Sequence, residues 1–211
     1  PLVPIGDLLL FGQSAFCLNI GGFANISHQS YDRRIAYDIA PANIILNYLS
    51  EKKGMPFDKN GDLARSGVVD PVLLEQLNSL SYYQKEAPKS LGKEWVLSNI
   101  HPLLSASGRS VEDQLATFCE HIAIQIGKSA SGSGDDQVLI TGGGAHNGYL
   151  TDRISNHLEP QMLIPDKLTI DFKEALIFAF LGLLRWLHEA NCLSSVTGAR
   201  YDSSGGAIYY P

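Results

Sequence analysis

Two glycine runs hold the residues best suited to handling an anion. In Leu18-Asn19-Ile20-Gly21-Gly22-Phe23-Ala24-Asn25-Ile26-Ser27 a double-glycine turn joins two apolar segments. With no side chain at Gly21 or Gly22, backbone amides can approach a phosphate closely, although a plain hairpin turn uses the same residues. The second run, Val138-Leu139-Ile140-Thr141-Gly142-Gly143-Gly144-Ala145-His146-Asn147, follows a short apolar strand and leads into an amphipathic segment. That is the layout of a strand-turn-helix nucleotide site, and Gly142, Gly143 and Gly144 exceed what a turn needs.

Three further positions carry usable chemistry. Asp38, placed at the end of a strand and ahead of a helix, can hold a metal-bound water, orient a phosphate or cap the helix. Glu174, in Asp171-Phe172-Lys173-Glu174-Ala175-Leu176, reads as a first-turn acid of a very apolar helix, either solvated or tuned for acid-base work. The loop Ala87-Pro88-Lys89-Ser90-Leu91-Gly92-Lys93-Glu94 offers Lys89 and Ser90 to an anionic or sugar ligand, and a solvated basic turn has the same composition.

The elements that must position these residues follow from periodicity and turn chemistry. Residues 15 to 20, 23 to 29 and 33 to 39 read as three consecutive antiparallel strands, followed by a helix that starts near Pro41 and stops at Gly54. Residues 55 to 108 change composition and read as an inserted subdomain with one clear helix, Pro71 to Leu80. A capped amphipathic helix spans 111 to 128, a strand Gln137 to Thr141, a helix Tyr149 to Leu158 and a strand Met162 to Ile164. The last helix, Asp171 to Ala190, is apolar almost all round and is expected to be buried between layers. Strands, helix, strand, helix, strand, helix is the order of a ribonuclease H-like α/β unit. Residues 1–54 and 109–211 would form it, with 55–108 inserted.

Composition narrows the classes. The 211 residues are 45% hydrophobic and 18% charged, enough for one sizeable core. A net charge of -6 and no basic patch argue against nucleic acid. The apolar stretch Ala175 to Leu184 is too short for a bilayer core of roughly 30 Å, so a soluble chain is expected. Cys17, Cys119 and Cys192 read as buried thiols in a reducing compartment, and the six histidines show no metal-ligand spacing. The chain opens on Pro1, which suggests that something upstream was removed.

Taken together, Pro1-Leu2-Val3-Pro4, Asn19 to Ile26, Phe57-Asp58-Lys59-Asn60-Gly61, Pro88 to Glu94, Thr141 to Asn147, Glu174-Ala175 and Ser195-Val196-Thr197-Gly198-Ala199 resemble the anhydro-N-acetylmuramic acid kinase family. The resemblance implies one lobe of the actin and sugar kinase fold, with ATP and Mg2+ bound between two lobes. It implies a reaction in which water opens the 1,6-anhydro ring and the freed 6-oxygen takes the γ-phosphoryl group, for cell-wall recycling in the cytoplasm. It makes Gly21, Gly22 and Asp38 phosphate-side residues, Gly142 to Gly144 adenosine contacts, and Lys89, Ser90 and Glu174 sugar-side residues, with Glu174 in a supporting catalytic role. A homodimer is compatible with it.

Two departures stand out. Where the family usually has Asp-Thr-Gly-Pro-Gly-Asn, this chain has Asp38-Ile39-Ala40-Pro41-Ala42-Asn43, so a backbone contact there is expected to be closed off or shifted. The family's first phosphate loop and its water-activating aspartate would lie upstream of Pro1, in an amino-terminal lobe, which implies that this chain alone is inactive. The alanines motivate a rival reading, a non-catalytic sugar- or nucleotide-binding module. A ribonuclease H-like nuclease fits the topology but lacks an acid on its first strand, where Asn19 stands.

Overall fold

The computed structural model describes residues 2–209, so Pro1 lies outside the described residues. The elements are α1 (Val3–Leu10), β1 (Phe16–Ile20), β2 (Phe23–Ser30), β3 (Arg33–Pro41), α2 (Asn43–Glu51), α3 (Asp62–Ser66), α4 (Pro71–Asn78), α5 (Lys93–Ala106), α6 (Val111–Ser129), β4 (Gln137–Thr141), α7 (Gly148–Ser155), β5 (Gln161–Leu163), α8 (Lys167–Trp186) and α9 (Ser194–Thr197). β1, β2 and β3 form an antiparallel meander, β4 pairs parallel with β1, and β5 pairs parallel with β4. The resulting order, β3-β2-β1-β4-β5, is the ribonuclease H-like sheet that the element order implies.

Alternation along β1 divides the sheet into two unequal faces. Phe16, Leu18 and Ile20 enter the main core with Phe118, Ile122 and Ile126 of α6. Asn19, on the opposite face, lines an open cleft. The helix α6 is long because its start and its stripe agree: Ser110 Oγ accepts the Asp113 N–H at 3.1 Å, and the apolar side chains then recur at helical spacing. On the other face α1 and α8 share only a small cluster of Ile5, Ile177 and Leu181. Gly6 permits that approach, since a Cβ there would lie 2.5 Å from Ile177 Cγ2.

Residues 55–108 bury Ala64, Leu73, Leu77, Val96, Ile100 and Leu104 in the same core as the sheet. His121 of α6 ties this segment down. Its Nδ1–H donates to Asn78 Oδ1 at 2.8 Å, its Nε2 accepts from the Tyr83 hydroxyl at 2.9 Å, and burial pushes its pKa down to about 3.

Several elements differ from expectation. The segment 55–108 holds three α-helices instead of one. The long α5 carries Pro102, which removes an interior N–H and masks the i, i+4, i+8 series Val96, Ile100, Leu104. The helix α8 begins at Lys167, where Asp166 Oδ1 accepts the Thr169 N–H at 3.1 Å, so Glu174 sits two turns in and not at a dipole-favoured start. That helix is also not buried all round. Ile170, Lys173, Ile177 and Leu181 face inward, whereas Leu168, Phe172, Leu176 and Leu183 are half or more exposed.

Candidate functional site

Gly21 follows the carboxyl end of β1 and Gly142 that of β4, and these two strands are parallel neighbours. Ligands of open α/β sheets bind in the crevice beyond such ends. Gly21, Gly142 and Gly143 line a cleft of about 1000 Å³ there, bounded by β3, the 88–90 loop, α1 and α8. Gly142 has φ +83°, and a Cβ on it would lie 2.6 Å from Asn19 Oδ1 and 2.8 Å from the Ile20 oxygen, so the two turns are pressed together. Gly143 is open, with a Cβ there 3.7 Å from Asn43 Nδ2.

Gly22 and Gly144 do not line the cleft. Gly144 is buried, and a Cβ on it would run into the Ile20 side chain, so its role is close packing. The Gly22 carbonyl accepts the N–H groups of Ala42 at 2.8 Å and Ile44 at 3.1 Å, while Gly21 O accepts that of Asn43 at 3.1 Å. The first turn thereby satisfies the amino-terminal amides of α2, which has no side-chain cap.

Asp38 does not cap α2 either, because β3 continues to Pro41. A β-bulge at Ile39 shifts the pairing register so that Ala24 opposes Ala40 while Asn25 opposes Asp38. The Asp38 Oδ2 accepts the Leu91 N–H at 2.9 Å, its own N–H donates to Lys89 O at 3.2 Å, and its carbonyl accepts the Tyr82 hydroxyl at 2.6 Å. These bonds clamp the 88–91 loop against the sheet. Burial raises the Asp38 pKa, opposed by the Leu91 amide. Lys89 Nζ rests 4.9 Å from the Tyr82 ring centroid and 5.7 Å from that of Tyr37, with its pKa lowered by burial. Ser90 sits exposed beside it on the cleft rim.

Ala40 and Ala42 are fully buried members of the main core. Neither residue lines the cleft.

The opposite wall contains a network that sequence reasoning missed. Lys173 Nζ and Asp7 Oδ1 are 2.5 Å apart, each side chain only 5% exposed. Ser27 Oγ donates to the other Asp7 oxygen at 2.5 Å and accepts from Arg34 Nη2 at 2.9 Å. Burial, with the Asp7 carboxylate adding to it, raises the nearby Cys17 thiol pKa. Asp7, the one charge in the apolar α1, and Lys173, just ahead of the apolar run of α8, were the available signal. Glu174, the next residue, faces the cleft. Asp171 links the second glycine turn to α8, bonding His146 Nε2 at 2.7 Å and Lys167 Nζ at 2.5 Å.

Gly143 also borders a second pocket of about 510 Å³, lined by Asn43, Asn47, Phe57, Asn60 and Asn147 among others. Asn147 Oδ1 caps α7 through the Leu150 N–H at 3.0 Å, and Asn60 Oδ1 accepts the Gly148 N–H at 3.2 Å. These polar residues were not singled out individually from the sequence. Among the described residues no group of three or more His, Cys, Asp or Glu is placed to hold a metal ion, and no helix is long and apolar enough to cross a membrane.

A solved structure, the activator of the 2-hydroxyisocaproyl-CoA dehydratase from Clostridium difficile with bound ADPNP, aligns with a TM-score of 0.48 at 14% identity, covering 80% of this chain and 60% of that one. The anhydro-N-acetylmuramic acid kinase of Sulfurovum sp. (strain NBC37-1) is 33% identical over 218 residues, covering 99% of this chain and 60% of that protein. That of Gloeobacter violaceus is 35% identical over 215 residues, covering 94% of this chain and 57% of that protein. The chain thus spans about 60% of the length of these relatives. The family model for anhydro-N-acetylmuramic acid kinase matches residues 1–211, so this chain, with its paired glycine turns beside one cleft, belongs to the anhydro-N-acetylmuramic acid kinase family.

Proposed function

We propose that this chain forms one wall of the active site of an ATP-dependent kinase that opens and phosphorylates 1,6-anhydro-N-acetylmuramic acid, giving N-acetylmuramic acid 6-phosphate. The observation that carries the reading is the pair of glycine turns on adjacent parallel strands, with Gly143 bordering both the large cleft and the smaller pocket. A nucleotide fits this arrangement. Its phosphates would lie over Gly21, Gly142 and Gly143, where backbone amides can approach an anion, and its adenosine would reach into the pocket of Asn43, Asn47 and Asn147. Gly22 and Gly144 would act indirectly, one by docking α2 and the other by close packing.

The sugar would occupy the large cleft between Lys89 and Ser90 on one side and Glu174 on the other. Glu174 would accept hydrogen bonds from the sugar in a supporting catalytic role. Asp38 would hold the loop that carries Lys89 and Ser90. Mg2+ would neutralise phosphate charge and would be held mainly by the phosphates and water, as suits an ion that keeps its hydration. The residue that activates water would belong to the portion that the relatives carry beyond this chain's span. Residues 1–54 and 109–211 would be the carboxyl-terminal lobe and 55–108 an insertion sharing its core. The cytoplasm, where ATP is supplied, is the setting that fits the proposed reaction, and a homodimer is compatible with it. Ala40 and Ala42, standing where the family has glycines, favour the rival reading of a non-catalytic sugar- or nucleotide-binding module.

The test is release of ADP from Mg-ATP with 1,6-anhydro-N-acetylmuramic acid, using this chain beside a protein extended upstream of Pro1. Turnover only in the extended protein, with the 6-phosphate as product, supports the proposal. Sugar binding without turnover in either would replace it with the binding-module reading.

A further inference from the structure

The charged residues lining the large cleft are Asp7, Asp38, Lys89, Asp171, Lys173 and Glu174. Four are already answered within the protein. Asp7 and Lys173 pair with each other, Asp171 pairs with His146 and Lys167, and Asp38 accepts the Leu91 amide. Among the described residues, Lys89 is the lining cation with no carboxylate at ion-pair distance.

Its ammonium is nevertheless held in place. The Tyr82 ring beneath it is 3% exposed and fixed through its hydroxyl to the Asp38 carbonyl, and Tyr37 comes from the adjoining strand β3. Aromatic faces attract a cation without neutralising it, and a side chain already ordered loses little entropy when an anion arrives. Burial lowers the Lys89 pKa, a cost that a bound anion would reverse.

Position separates this anion from the nucleotide phosphates. The Lys89 backbone lies against β3, whereas Gly21 ends β1 and Gly142 ends β4, two and three strand spacings away in the order β3-β2-β1-β4. At about 4.8 Å per spacing those are roughly 10 and 14 Å.

We propose that Lys89 is a specificity-determining residue that recognises a carboxylate carried by the sugar ligand, at the end of the cleft away from the glycine turns. The proposal rests on the sugar kinase reading, whose substrate bears such a group on its lactyl ether.

The experiment is calorimetric titration of the protein extended upstream of Pro1, wild type, Lys89→Met and Lys89→Arg, with three ligands. These are 1,6-anhydro-N-acetylmuramic acid, 1,6-anhydro-N-acetylglucosamine, which lacks the lactyl group, and Mg-ADP. A charge-assisted contact predicts that Lys89→Met weakens the carboxylate sugar about tenfold or more and leaves the neutral sugar and Mg-ADP within about twofold. Lys89→Arg should restore most of the lost affinity. Equal weakening of both sugars would overturn the proposal, because Lys89 would then be packing against the ring. A loss confined to Mg-ADP would assign the anion to the nucleotide and overturn it while leaving the kinase reading intact. Failure of wild type to bind either sugar would overturn both.

Discussion

The two glycine turns end neighbouring parallel strands, yet they are built for different loads. At Gly142-Gly143-Gly144 one glycine has a left-handed φ and another presses on the Ile20 side chain, and only Gly143 has room for a Cβ. At Gly21-Gly22 nothing lies within 4 Å of a Cβ built on Gly22, and the turn spends its carbonyls on the first amides of α2. The second turn needs its glycines to fold, whereas the first mainly leaves space. Two runs of similar composition therefore differ in which substitutions they tolerate.

That contrast can be broken by mutation, with unfolding in denaturant as the common measurement. Gly142→Ala should cost most, about 3–5 kcal/mol, because it combines a glycine-only backbone conformation with a clash against the Ile20 oxygen. Gly144→Ala should cost about 1–3 kcal/mol through overpacking against Ile20, which is fully buried. Asn43→Ala should cost about 1 kcal/mol, the worth of its Nδ2 bond to Ile20 O at 3.2 Å, which ties the start of α2 to the first turn. Gly22→Ala should stay within about 0.5 kcal/mol of wild type. If Gly22→Ala proved as damaging as Gly144→Ala, the difference between the turns would be lost.

Much of this arrangement was legible in the sequence, for identifiable reasons. The strand Gln137–Thr141 and the helix from Val111 combine an unbroken apolar pattern with clear stop signals, and both lie where the pattern places them. The helix Val3–Leu10 escaped notice because it is short and carries Pro4 near its start, and α5 because Pro102 interrupts it. The apolar run in α8 implied burial, but composition cannot say how much surface the rest of the fold supplies to cover it. At the site, glycines and the Lys89 loop were visible as local motifs. The Asp7-Lys173-Ser27-Arg34 network was not, because its members come from four elements that meet only in the folded chain.

The most direct test of ligand binding between the turns is to follow the glycine amides of the 15N-labelled chain by NMR while Mg-ADP is added. The account predicts that Gly21, Gly142 and Gly143 shift, while Gly54 and Gly108, at distant helix ends, stay in place. Saturating nucleotide that leaves those three amides unmoved would contradict it.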